Sequence, residues 1–192
     1  VTTDHALGAD IGARHLAAQS HRCIGAIVSQ GSLTSIHVLR GWRDAARALR
    51  LPVDPRVHAL AVDAPDSVWP SLDETLAQLL ATGVTALLVH SDWGALAVLG
   101  AAAAQGVRVP DDLGLVAYDD DVASSSTPPL TAVAPPKEEI GRRAEELLLE
   151  RLERGPSRPV ERVQLVPSLV VRASSIRPET PMPAHRVPAR AG

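Results

Sequence analysis

The chain has 192 residues, 45% of them hydrophobic and none of them Phe, which suits one ordinary domain with a core of Leu, Val, Ala and Ile. Its formal net charge of -3 leaves no electrostatic footprint for nucleic acid, and its single cysteine, Cys23, excludes an internal disulfide. With no charged-then-apolar leader and no apolar run long enough to span a bilayer, a soluble cytoplasmic protein with no membrane partner is expected.

The first five residues read as a strand end entering a turn. Leu7, Ile11 and Leu16 recur near helical spacing and predict a helix over 8–19. An apolar strand follows at 23–28, with His21 expected to tie the helix to that strand rather than to meet a ligand. Val38, Trp42, Ala45, Ala46 and Leu49 give a helix over 36–49 an apolar face, and Pro52 and Pro55 stop it. The next strand is expected at 57–62. Ser71 with Glu74 makes a capping box for a helix reaching Thr82, closed by Gly83. A buried strand at 85–89 leads to His90-Ser91-Asp92, where Asp92 is expected to cap a helix over 93–105.

The run Leu113-Gly114-Leu115-Val116-Ala117-Tyr118 reads as a buried strand of a parallel sheet, and it ends in three carboxylates, Asp119, Asp120 and Asp121. Ligands of open α/β sheets collect at the carboxyl ends of strands, which is where Asp119 falls; the alternative is that the acids only cap a turn. An extended segment at 130–134 precedes a helix over 136–154, with Pro136 in its first turn, acids near its start, basic residues near its end, and an apolar stripe of Ile140, Ala144, Leu147, Leu148 and Leu152. Strands are expected at 160–166 and 169–171, and the Pro-rich residues 176–192 read as a disordered tail. Alternating strands and helices with short loops predict an α/β fold with a parallel sheet flanked by helices.

The segments Val109-Pro110-Asp111-Asp112-Leu113, Ala117-Tyr118-Asp119-Asp120 and Pro128-Pro129-Leu130-Thr131 carry a resemblance. In this order and spacing they resemble the effector-binding domain of LacI/GalR-type transcriptional regulators, with Arg40-Gly41-Trp42 matching an Arg-Gly-aromatic step of that pattern. The resemblance runs to about Ser175 and implies a type I periplasmic-binding-protein-like fold. It also implies a division: residues 1–132 as the C-terminal effector-binding subdomain, 133–166 as a segment crossing to an incomplete N-terminal subdomain, and 167–175 as the return strand. The helix-turn-helix headpiece of the pattern is not in this sequence, which begins at Val1, so the resemblance implies a fragment that meets DNA only through that missing part. It further implies a sugar-like small-molecule effector and a homodimer.

Carried over residue by residue, Asp119 falls on the acidic ligand contact of the pattern, just after Tyr118. Ser91 stands where Asn is frequent, followed by Asp92. Val38 stands where an Arg is frequent, Pro135 where a Gln is frequent, and Ser20 where Gly is usual. The acidic contact is therefore kept while the basic and amide contacts are not. Trp69 and Trp93 can offer stacking faces or can simply pack. The candidate effector-binding set is Asp119, Ser91, Asp92, Trp69 and Tyr118.

Catalytic signatures are absent: there is no Gly-x-Ser-x-Gly elbow, phosphate loop or His/Cys metal spacing. His90 with Asp92, or the acids 119–121, offer partial metal sets without a third ligand or a mechanism, so no cofactor and no enzyme are expected. The alternatives to a regulator are a transporter-associated sugar-binding protein of related fold and a small Mg²⁺-dependent α/β enzyme. The Val-Pro-Asp-Asp and Pro-Pro-Leu-Thr segments favour the regulator.

Overall fold

A computed structural model describes residues 1–29, 32–52, 68–155 and 159–177. Its centre is a five-stranded sheet of β2 (Ile24–Val28), β3 (Ala86–His90), β4 (Gly114–Tyr118), β5 (Thr131–Ala134) and β7 (Ser168–Val170), in that spatial order. The first four strands run parallel, and β7 closes the edge antiparallel to β5. Every residue of β2, β3 and β4 is buried, the state that continuous apolar runs signal for a sheet covered on both faces.

Helices α1 (His5–Ala18) and α2 (Leu33–Ala48) share one core with Ala86 and Leu88 of β3 and Val116 and Tyr118 of β4. Helices α3 (Val68–Ala81) and α4 (Asp92–Ala104) share the other with the alternate residues, Leu87, Val89, Leu115 and Ala117. The period-two alternation of the strands thus sorts one apolar run into two cores. Helices α1 and α2 meet backbone to backbone: a Cβ at Gly41 would lie 1.9 Å from the carbonyl oxygen of Ala6. The Arg-Gly-Trp step therefore packs helices. Trp42 beside it is buried.

Several boundaries move for local reasons. Asp4 accepts the N–H of Leu7 at 3.0 Å and starts α1 at His5, three residues before the predicted start at Gly8. Ser32 accepts the N–H of Thr34 and starts α2 at Leu33. Ser71 is not a cap, because α3 starts at Val68; that places Pro70 in the first turn, where a missing N–H costs nothing. Pro136 lies at the N-cap position, one residue outside α5 (Lys137–Arg154), with no side-chain capping bond. Ser20, in the place of Gly, takes φ 69°. His21 does tie α1 to the sheet, but through Thr85 at the entry to β3, 3.0 Å from its Nδ1, rather than through β2. The strand expected at 57–62 lies outside the described residues, as does the tail from 178 on.

The expected strand at 160–166 shrinks to β6 (Gln164–Leu165), which pairs parallel with β1 (Thr2–Thr3). A strand is only as long as its partner, and β1 offers two residues. No residue of α5 is buried, and Leu148 and Leu152 of its apolar stripe, with Leu149 beside them, are more than half exposed.

Candidate functional site

Strands β3, β4 and β5 end together at one edge of the sheet, in register from His90 to Tyr118 to Val133. The residues just past these ends are Ser91, the three carboxylates, and Pro135 to Lys137. The sequence gives the three acids as a block; the structure gives each a separate use. Asp120 turns away from the edge and forms a two-bond pair with Arg172, at 2.7 and 2.9 Å. Asp121 pairs with Lys137 at 2.5 Å. Asp119 keeps its carboxylate at the edge, with Lys137 Nζ 3.8 Å from its Oδ1. Its backbone takes φ 72°, a left-handed value that Asp tolerates better than most side chains. Burial pushes its carboxyl above the usual carboxylate range; Lys137 opposes the shift, and Asp92 and Asp121 add to it.

The other predicted residues divide. Ser91 is half-buried and precedes α4 as its N-cap, yet its hydroxyl makes no capping bond. Asp92, expected as that cap, is instead the first residue of the helix and only 1% exposed. Its Oδ1 accepts the N–H of Trp93 at 2.9 Å, and its Oδ2 accepts the N–H groups of Asp121 and Val122, each at 2.8 Å. Both oxygens are thus bonded to backbone, and Asp92 ties α4 to the turn that carries Asp119. Tyr118 is fully buried on the α1 side of the sheet. Its hydroxyl lies 3.1 Å from His5 Nδ1 and its ring meets His90 edge-on, so it stands behind the edge and not on it. Burial raises its pKa further above the ordinary phenol value. Trp69 sits in the first turn of α3 with its side chain outside the described residues. Trp93, on the first turn of α4, is 66% exposed.

Sequence reasoning missed Arg172 and Lys137. Arg172 is 52 residues from Asp120 and carries no local motif, so only the antiparallel return of β7 brings it in. Lys137 has a signal in hindsight: the two prolines before it end β5 and start α5 at the same edge. Among the described residues no group of three His, Cys, Asp or Glu side chains converges as a metal set, and no helix is long and apolar enough to cross a membrane.

Residues 13–175 match the sequence family described as periplasmic binding protein-like domain. The chain belongs to that family. It covers the effector-binding region of LacI-type transcriptional regulators. It is 31% identical over 177 residues to the HTH-type transcriptional regulator DegA of Bacillus subtilis (strain 168), a match that takes in 91% of this chain and 51% of the relative. To the HTH-type transcriptional repressor CytR of Escherichia coli (strain K12) it is 35% identical over 143 residues, 72% of this chain and 41% of the relative. The periplasmic binding protein-like domain here thus spans about half the length of these curated relatives. Among solved structures it is similar to the transcriptional regulator CelR in complex with cellobiose, with a TM-score of 0.77 and 32% identity over 90% of this chain and 52% of that one.

Proposed function

We propose that this chain is the effector-sensing and dimerising part of a LacI-type, DNA-binding transcriptional regulator, and that its effector is a small sugar-like molecule held at the carboxyl edge of the sheet. The carrying observation is the placement of Asp119: a half-buried carboxylate at the strand ends, with a lysine ammonium 3.8 Å away and the Ser91 hydroxyl on the neighbouring strand end. A carboxylate accepts from two adjacent hydroxyls at once, and an ammonium beside it donates to a ring or hydroxyl oxygen, which is the pairing that a polyol offers. Lys137 thereby supplies the cationic donor that Val38 does not. DNA contact is assigned to a part of the longer regulator, in keeping with the net charge of -3 here. The protein works in the cytoplasm, without catalysis.

Calorimetric titration of a panel of mono- and disaccharides, cellobiose included, tests this. A saccharide should bind the wild-type chain and lose about 10–100-fold in affinity in Asp119→Asn, the range for losing a charged hydrogen bond. Binding unchanged by Asp119→Asn, or no saccharide binding at all, sinks the proposal.

A further inference from the structure

Asp119 holds a φ of 72°, a left-handed value uncommon outside glycine, although Asp adopts it more readily than most side chains. On one side it is fixed by β4. On the other, two side chains from distant parts of the chain grip the next three residues. The Arg172 guanidinium bonds both oxygens of Asp120, with both side chains 19% exposed, and also donates to the carbonyl of Leu130 at 2.8 Å. Arg172 is itself held, its N–H donating to Thr131 Oγ1 at 2.8 Å and its carbonyl accepting from the same hydroxyl at 2.9 Å. Asp92 then takes the N–H groups of Asp121 and Val122 from the opposite side. From this we infer that Arg172, acting through Asp120, is a positioning residue of the effector site, with Asp92 its counterpart on α4, and that together they fix the turn that aims the Asp119 carboxylate outward. A planar fork on a carboxylate sets orientation as well as distance, which a lysine in its place does not. The functional weight of this inference rests on the proposed role of Asp119; the geometry it assigns does not.

Nuclear magnetic resonance of the full, isotope-labelled chain tests it without a ligand. The three-bond HN–Hα coupling and the Cα and Cβ shifts of Asp119 report its φ. Wild type carries the left-handed signature. Arg172→Met and the near-isosteric Asp120→Asn should each move that signature toward negative φ and raise exchange of the Asp121 and Val122 amides on the order of tenfold. Arg172→Lys should recover melting temperature more fully than it recovers the Asp119 signature. A left-handed Asp119 that persists in both Arg172→Met and Asp120→Asn overturns the inference, whatever happens to the melting temperature. If Asp119→Asn leaves saccharide binding intact while Arg172→Met abolishes the signature, the site reading fails and the assignment of the turn stands.

Discussion

Two buried histidines should make the fold steeply acid-sensitive well above the usual carboxylate range. His21 is 2% exposed. Its Nδ1 lies 3.0 Å from Thr85 Oγ1, whose hydroxyl has a carbonyl partner in Cys23, so the ring donates from Nδ1. Its Nε2 faces the backbone of Gly114 with no partner among the described residues. A second proton would sit on Nε2 without an acceptor. Burial, aided by Arg177 and His15, holds the pKa of His21 down at about 4; burial, aided by His5, holds that of His90 at about 4 also. The unfolded chain takes up both protons near the ordinary histidine value of 6.5. Stability is therefore full above that value, falls as pH drops from 6.5 toward 4, and levels off below. Each group accounts for about 3 kcal/mol over the whole window, and the two together fall in the lower part of the range of about 5–15 kcal/mol that holds a domain folded. Between pH 6 and 4.5 the slope should be about 2 kcal/mol per pH unit, somewhat under the limit for two whole protons. Urea unfolding at pH 7.5, 6.5, 5.5 and 4.5 measures it, with His21→Gln and His90→Gln alongside wild type. Each variant should lose about half of the wild-type drop, whatever its stability at neutral pH. A drop as large as that of wild type in both variants would refute the reasoning. His5 and His15, lowered chiefly by burial, act in the same direction. Asp119, raised in the fold, acts in the opposite direction and at lower pH.

Gly41→Ala should destabilise by at least about 2–3 kcal/mol, reversing the usual gain of a helical Gly→Ala change, because the new Cβ would meet the Ala6 carbonyl; chemical denaturation settles the sign. On α4, Ala95, Ala97, Ala101 and Ala102 pack on its own sheet while Gly100, Ala103 and Ala104 face outward. If that outward face carries the proposed dimer, sedimentation velocity should show Ala103→Glu weakening a dimer that wild type forms, and a wild type that stays monomeric at high concentration would remove the basis for it. Hydrogen exchange across residues 138–151 should outrun that across 115–118, since no residue of α5 is buried; equally slow exchange in a monomer would mean that the helix has found cover.

The sequence discloses what is local and apolar. The strand read at 113–118 is observed at Gly114–Tyr118, and the one read at 23–28 at Ile24–Val28, because a strand covered on both faces must be apolar throughout. Pairing is not local, so 160–166 reads as a full strand until its two-residue partner is seen. Ser91 and Asp92 are both good cap formers, and their order leaves open which one caps. The acids 119–121 are alike in sequence. Only contacts with Asp92, Lys137 and Arg172 distinguish them, and those partners lie 29, 16 and 52 residues from the acids they engage.

The late arrival of Arg172 also bears on synthesis. The turn at Asp119 leaves the ribosome 52 residues before the side chain that braces Asp120, about 3–10 seconds at translation rates of about 5–20 residues per second. The Leu115 carbonyl in mid-strand waits as long for the Ser174 hydroxyl that bonds it at 2.6 Å. Through that interval the nascent sheet has β2, β3, β4 and β5 in hand and an edge on β5 that β7 has yet to cover. Nascent chains stalled within this stretch should therefore engage chaperones or pair wrongly at the β5 edge, and release through Ser175 should end that exposure.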